Sequence, residues 1–127
     1  MVVSMMDLNK AVSNIISNHN IECVGLFGSR ARGDYLDSSD YDIFIIGDIS
    51  MEEELEIEAE LEQLLDNNID VINLKEDMDR ILLKNIVNEG TILYNKNNAF
   101  ENIYRFVENF FIENSDFLKL RERDLLD

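Results

Sequence analysis

VGLFGSRARGDYLDSSDYDIFII, residues 24–46, reads as a buried strand ending at Phe27, a turn at Gly28-Ser29, a polar segment, and a second strand carrying Asp40 and Asp42. Side chains two apart on a strand lie on one face, so these two carboxylates are aimed at the same place. Two aspartates so placed repel unless a positive group sits between them. A hard divalent cation suits them: Mg²⁺ takes oxygen ligands and is commonly held by one or two carboxylates plus the phosphates of a nucleotide. The turn supplies the complement, because glycine lets the backbone approach a ligand closely and a helix start offers N–H groups, with the Ser29 hydroxyl, to phosphate oxygens. Strand, turn and second strand together predict a nucleoside triphosphate site.

The spacing is specific. Gly28-Ser29, ten intervening residues, then Asp40-Tyr41-Asp42 resembles the Gly-Ser…Asp-x-Asp signature of the DNA polymerase β-like nucleotidyltransferase superfamily. At ordinary residue frequencies those four positions coincide in a chain of this size with odds of roughly a few in a thousand. The fuller match, GSRARGDYLDSSDYDIFI, with Arg30, Arg32, Gly33 and the Ser39-Asp40 pair, is similar to the minimal nucleotidyltransferases, in particular MntA-type antitoxins, which are encoded beside HEPN-domain toxins. The resemblance implies an α+β (mixed α/β) fold, a small mixed sheet flanked by helices. It also implies metal held by Asp40 and Asp42, with Gly28, Ser29, Arg30 and Ser39 around the nucleotide. In this superfamily a third carboxylate stands on a strand after the helix that follows Asp-x-Asp. Asp70, within IDVINL at 69–74, matches that order and takes that role, as catalytic group and metal ligand. The competing reading is an edge-strand aspartate facing water, since one Asp is a weak motif.

Length and charge narrow the function. A chain of 127 residues supports one domain, here 1–127 with 98–127 as a C-terminal helical extension, and leaves no room for a separate substrate domain. No apolar run approaches the roughly 18 residues of a membrane span, and MVVSMMDLNK has no basic segment ahead of an apolar core, so a cytoplasmic protein is expected. The formal net charge of −16 argues against stable binding to bare nucleic acid but not against a Mg²⁺-nucleotide, because local charge decides that. Arg30 and Arg32 stand beside the proposed phosphate turn, and an acidic surface suits a basic protein partner. Cys23 is the single cysteine, which excludes an internal disulfide and a cysteine zinc cluster; in a strand it reads as a small core residue. His19, also single, reads as a loop residue after the first helix.

Along the chain, helical spacing of Leu8, Ala11, Val12, Ile15 and Ile16 predicts a helix over 7–18, capped by Asp7 or Ser4. Residues 21–27 form a central strand buried on both faces. A short helix starts at Arg30 and ends at Gly33. Ser50 and Glu53 have capping-box spacing and open a helix to about Asp66, whose EEELEIEAELE run reads as a solvated acidic face. A further helix spans 75–89, closed by Gly90 in a left-handed conformation, and TILYN at 91–95 is a short strand. From Asn98 the chain is helical and rich in Phe106, Phe110, Phe111 and Phe117. That segment either folds back on the sheet or offers an apolar face to another protein.

The expected chemistry is nucleotidyl transfer dependent on Mg²⁺ (two ions), with ATP as co-substrate and the acceptor attacking the α-phosphorus as pyrophosphate leaves. The resemblance implies the acceptor: MntA-type proteins transfer AMP to a tyrosine of the cognate HEPN toxin, an RNase, and silence it. Two other readings stay open, a binding-only antitoxin with an unused site, and a nucleotidyltransferase acting on an aminoglycoside or the end of a tRNA.

Overall fold

The apolar run ahead of the Gly-Ser turn becomes an inner strand of a four-stranded sheet. In the computed structural model, which describes residues 5–36 and 39–114, helix α1 (Met5–Asn18) leads to β1 (Ile21–Phe27) and a single helical turn, α2 (Ser29–Arg32). Then come β2 (Tyr41–Gly47), α3 (Met51–Leu65), β3 (Ile69–Asn73), α4 (Arg80–Glu89), β4 (Thr91–Asn95) and α5 (Ala99–Glu113). The strand order is β3-β2-β1-β4. β1 is antiparallel to β2 and β4, whereas β2 and β3 run parallel, as they must when a helix, α3, carries the chain back between them. The architecture is the expected α+β fold with a mixed sheet.

Helices cover both faces. Leu8, Val12 and Ile15 of α1 and Ile57, Leu61 and Leu65 of α3 pack on Val24, Leu26, Tyr41, Ile43 and Ile45. On the other face Leu83, Ile86 and Val87 of α4 and Ile103 and Val107 of α5 pack on Cys23, Phe44 and Leu74. Strand alternation then decides where the acids go. Asp42 is in phase with Phe44 and Ile46, and Asp70 with Ile72 and Leu74, so both carboxylates belong to the α4/α5 side, at the end of the sheet where β2 and β3 begin. Cys23 is fully buried, and burial followed by the charge of Glu101 pushes its thiol up to about 12, which keeps it protonated and inert.

Local signals account for most boundaries. The Ser50 hydroxyl accepts the Glu53 N–H at 3.1 Å, and Gly33 ends α2 with φ 84°. Three expectations need correction. Helix α4 starts at Arg80 rather than at Lys75, because the Asp79 carboxylate accepts the N–H groups of Ile81 and Leu82 at 2.9 and 3.0 Å and caps the helix there. Gly90 is extended (φ −68°, ψ 146°) and leads straight into β4; it is glycine because a Cβ would sit 2.7 Å from the Phe44 ring and from the Ile86 carbonyl oxygen. His19 stands in the turn after α1, as expected, and is tied down there. Its side chain is 7% exposed and its ring nitrogens lie 3.3 Å from Glu53 and from Glu60, tying the α1–β1 turn to α3. Asp7 lies within the first turn of α1, not at its cap, and Ser4 is outside the described residues.

Part of the acidic face of α3 has a second duty. β3 is an edge strand, and its outward N–H groups at Val71 and Asn73 donate to Glu58 and to Glu54 (3.3 Å for the latter), two carboxylates one helical turn apart. Helix α5 buries Ala99, Ile103 and Val107 while leaving Tyr104 and Ile112 exposed, so it both folds back and shows an apolar face. Phe117 lies outside the described residues.

Candidate functional site

The site grows from a geometric demand on one glycine. β1 ends at Phe27, whose register partner on β2 is Asp42. The chain leaves the sheet and enters α2 through Gly28 at φ 71°, a region that side-chain-bearing residues avoid. A Cβ there would also overlap Asp42 Oδ2 and come within 3.1 Å of its Cγ. The carboxylate therefore lies against the glycine, and turn and acid form one unit.

On its other side Asp42 is the register partner of Asp70 across the parallel pair. Register places the two carboxyls side by side, where each disfavours the charge of the other. Burial first, then the charges of Asp70 and Asp40, raise the Asp42 pKa above the usual aspartate range, while Arg32 pulls it down. Asp40 is exposed, one residue before β2, and acts on Asp42 more weakly than Asp70 does. Among the described residues no three His, Cys, Asp or Glu side chains converge closely enough to make a ready-formed ligand cluster. The donors are nonetheless all carboxylate oxygens, two of them register partners on adjacent strands, and this chemistry fits a hard cation rather than a soft one.

The remaining sequence-derived residues divide. Ser29 opens α2 beside the carboxylates, half-buried. The Arg30 guanidinium instead stacks 3.9 Å from the ring centre of Tyr41 and 4.5 Å from that of Tyr35, and donates from Nη2 to the Ser39 carbonyl at 3.0 Å. The Ser39 hydroxyl accepts the Leu36 N–H at 2.9 Å, so it closes its own loop. Arg32, set beside the phosphate turn by the sequence, was given no role in the site there. It is the cation whose charge reaches Asp42, and it lies 3.4 Å from Asp34 and 3.5 Å from Glu89. Its place one helical turn after Ser29 was the available signal.

Residues 9–99 match the family model described as polymerase beta, nucleotidyltransferase. The chain belongs to this family. A Methanocaldococcus jannaschii protein named "Putative protein adenylyltransferase" is 35% identical to this nucleotidyltransferase over 82 residues, 58% of this chain and 79% of the relative. Among solved structures, a toxin-antitoxin crystallised with AMP-PNP superposes with a TM-score of 0.75 at 17% identity, covering 94% of this chain and 98% of that one. The MNT antitoxin complexed with a tri-AMPylated HEPN toxin of Shewanella oneidensis gives 0.72 at 17% identity, over 97% and 98% of the two chains. At that identity the likeness of the nucleotidyltransferase to both is one of fold. Among its described residues no helix is long and apolar enough to cross a membrane.

Proposed function

We propose that this nucleotidyltransferase is the antitoxin of a HEPN toxin-antitoxin pair and acts as a protein adenylyltransferase, moving AMP from Mg-ATP to a tyrosine of its toxin in the cytoplasm. The observation that carries the reading is the contact of Asp42 with the backbone of Gly28 and with Asp70, which unites a phosphate turn and a pair of carboxylates. Asp40, Asp42 and Asp70 would hold Mg²⁺. When bound, Mg²⁺ supplies charge neutralisation for the triphosphate. The chain's own groups do the rest. Gly28 and Ser29 hold the outgoing phosphates, and Arg32 adds positive charge beside them. The tyrosine oxygen bonds to the α-phosphorus, the bond from that phosphorus to the β-phosphate bridging oxygen breaks, pyrophosphate leaves, and the phenol proton passes to an Asp70 oxygen.

The test is incubation with ATP labelled at the α-phosphate, Mg²⁺ and the product of the neighbouring gene. Label on a toxin tyrosine is the expected result. Toxin bound and silenced without label would replace the reading with a binding-only antitoxin. Asp70→Asn should lower the rate of label transfer about 10²–10⁴-fold, as loss of a general base does, while Mg-ATP affinity by calorimetry changes little. Normal turnover in that variant would leave Asp70 a surface residue.

For the partner the reading points to α5. Two grooves of about 430 and 470 Å³ flank Tyr104, and neither includes a residue of the carboxylate cluster. Tyr104 and Ile112, 42% and 68% exposed, are better candidates for anchors than Phe106 and Phe111, which pack against the core. Tyr104→Asp together with Ile112→Asp should weaken toxin binding by about 2 kcal/mol or more, roughly 30-fold in Kd, with the circular dichroism unchanged. Unchanged affinity would move the interface off this helix.

A further inference from the structure

Both residues beside Asp40 are anchored to a single turn. The Ser39 carbonyl oxygen accepts from Arg30 Nη2 at 3.0 Å and from Asn67 Nδ2 at 3.3 Å. On the other side of Asp40 the Tyr41 N–H donates to the Asn68 carbonyl at 3.0 Å. Asn67 is itself fixed, its Oδ1 accepting the Asn68 N–H at 2.7 Å. The turn that holds Asp40 from both sides runs directly into β3, where Asp70 is the second residue. Thus the segment bearing Asp40 and the strand bearing Asp70 are fastened to each other just outside the sheet.

We infer that Arg30 and Asn67 are positioning residues, which by meeting on the Ser39 carbonyl set Asp40 relative to Asp42 and Asp70. The inference rests on the proposed function for its consequence in turnover, and on hydrogen bonds alone for its structural content. Arg30 suits the task through its shape. A planar guanidinium stacks on the rings of Tyr35 and Tyr41 and still donates to the Ser39 carbonyl, whereas an ammonium keeps the charge and loses the stacking and the fork. Arg30→Lys therefore separates this role from that of a phosphate-binding cation.

The experiment compares the intact protein with Arg30→Lys, Arg30→Ala, Asn67→Ala and Asp40→Asn, alone and in pairs with Asp40→Asn. A displacement on the order of 1 Å costs about 10²-fold in an aligned reaction, so the kcat of both positioning variants should fall about 10–100-fold, with KM for ATP within about 2-fold. Mn²⁺ affinity of the free protein, read by electron paramagnetic resonance, should weaken in both. Combining either change with Asp40→Asn should add no further loss in Mn²⁺ affinity, because the effects run through one carboxylate. A structural lesion elsewhere would add. Two signals need neither metal nor nucleotide: hydrogen-exchange protection of the Tyr41 amide should drop about 10-fold, and the Asp40 carboxyl ¹³C resonance should shift. If wild type transfers nothing but these two signals change, the proposed function falls and the positioning inference stands. If wild type transfers and Arg30→Lys and Asn67→Ala match it in kcat and in both signals, the inference is overturned and the function stands. Restored kcat in Arg30→Lys beside a raised KM in Arg30→Ala would likewise overturn it, making Arg30 a phosphate cation.

Discussion

Asp42→Asn should lower AMP transfer about 10³–10⁴-fold, the several kcal/mol that charge neutralisation at a phosphoryl centre provides, and should raise the Tm of the free protein. The two effects share one cause. In the fold the Asp42 carboxyl is pressed against Gly28, stands beside Asp70 across the parallel pair and feels the charges of Asp70 and Asp40. On the proposed function such a group is kept for the cation it would hold, and its cost to the fold is the repulsion that this role requires. The sign of the pH dependence follows. Folded Asp42 holds its proton to higher pH than the usual aspartate value of 3.8. Its contribution to stability is therefore fully present below that value and is lost as pH rises through the raised folded value. Ionised Asp42 burdens the fold above that window, and Asn removes the burden. Because the group is partly solvated, the gain at pH 7 is held to at most about 1 kcal/mol, or about 3–6 °C of Tm for a domain of this size. The difference should vanish as the pH is taken below 3.8. Adding Mg-ATP should reverse the order, since wild type gains stability by binding and the variant does not. A variant with wild-type turnover in Mg²⁺ would remove Asp42 from the site, whatever its Tm.

Phe44→Ala should have the largest effect on stability, about 3–5 kcal/mol, the usual loss for emptying a fully buried aromatic position. With total stabilities of about 5–15 kcal/mol, that places the variant near unfolding at room temperature. Phe44 is 0% exposed, lies 6.5 Å centre to centre from Phe27 and 6.3 Å from Phe100, and ties β2 to α5. Its ring also occupies the space a side chain would need at Gly25, its partner on β1, and at Gly90. Gly25→Ala should accordingly cost about 1–3 kcal/mol by overpacking. Pairing it with Phe44→Leu should recover part of that loss, a coupling that denaturant titration of the four proteins would detect. Strict additivity would mean that the ring does not set the identity of residue 25.

What the sequence disclosed, and what it withheld, follows the range of the interactions involved. Gly28, Asp40 and Asp42 were legible because strand, turn and strand are consecutive, and the two-residue period fixes the faces. The Ser50 cap and the Gly33 stop were legible for the same reason. Asp70 needed a family resemblance, because its meeting with Asp42 depends on the parallel register that α3 brings about. Arg30 was read as a phosphate group from its neighbours in sequence, but the partners the structure gives it, Tyr35, Tyr41 and the Ser39 carbonyl, include two beyond its own turn. His19 lies in the loop where it was read, but its two glutamate partners were hidden because they come from a helix more than thirty residues on. At Gly90 the residue type was informative and the inferred cause was wrong: the glycine answers to the Phe44 ring, not to a left-handed backbone.

The two glutamates of α3 that accept the Val71 and Asn73 N–H groups have a consequence for association. An uncovered edge strand is a template on which another chain can add a strand, whether by recognition or by aggregation. Here two outward donors of β3, at Asn73 and Val71, are already taken by Glu54 and Glu58 of the same chain, and an incoming strand would have to displace both carboxylates to pair along the strand. Growth of the sheet is thereby directed to the opposite edge, β4. Lowering the pH weakens the barrier, because a protonated carboxyl accepts less strongly and repels other acidic chains less. Burial, the largest influence on Glu58, raises its pKa, so that its cap loosens earlier in an acid titration than an ordinary glutamate would. Self-association that starts in mild acid should therefore begin at β3.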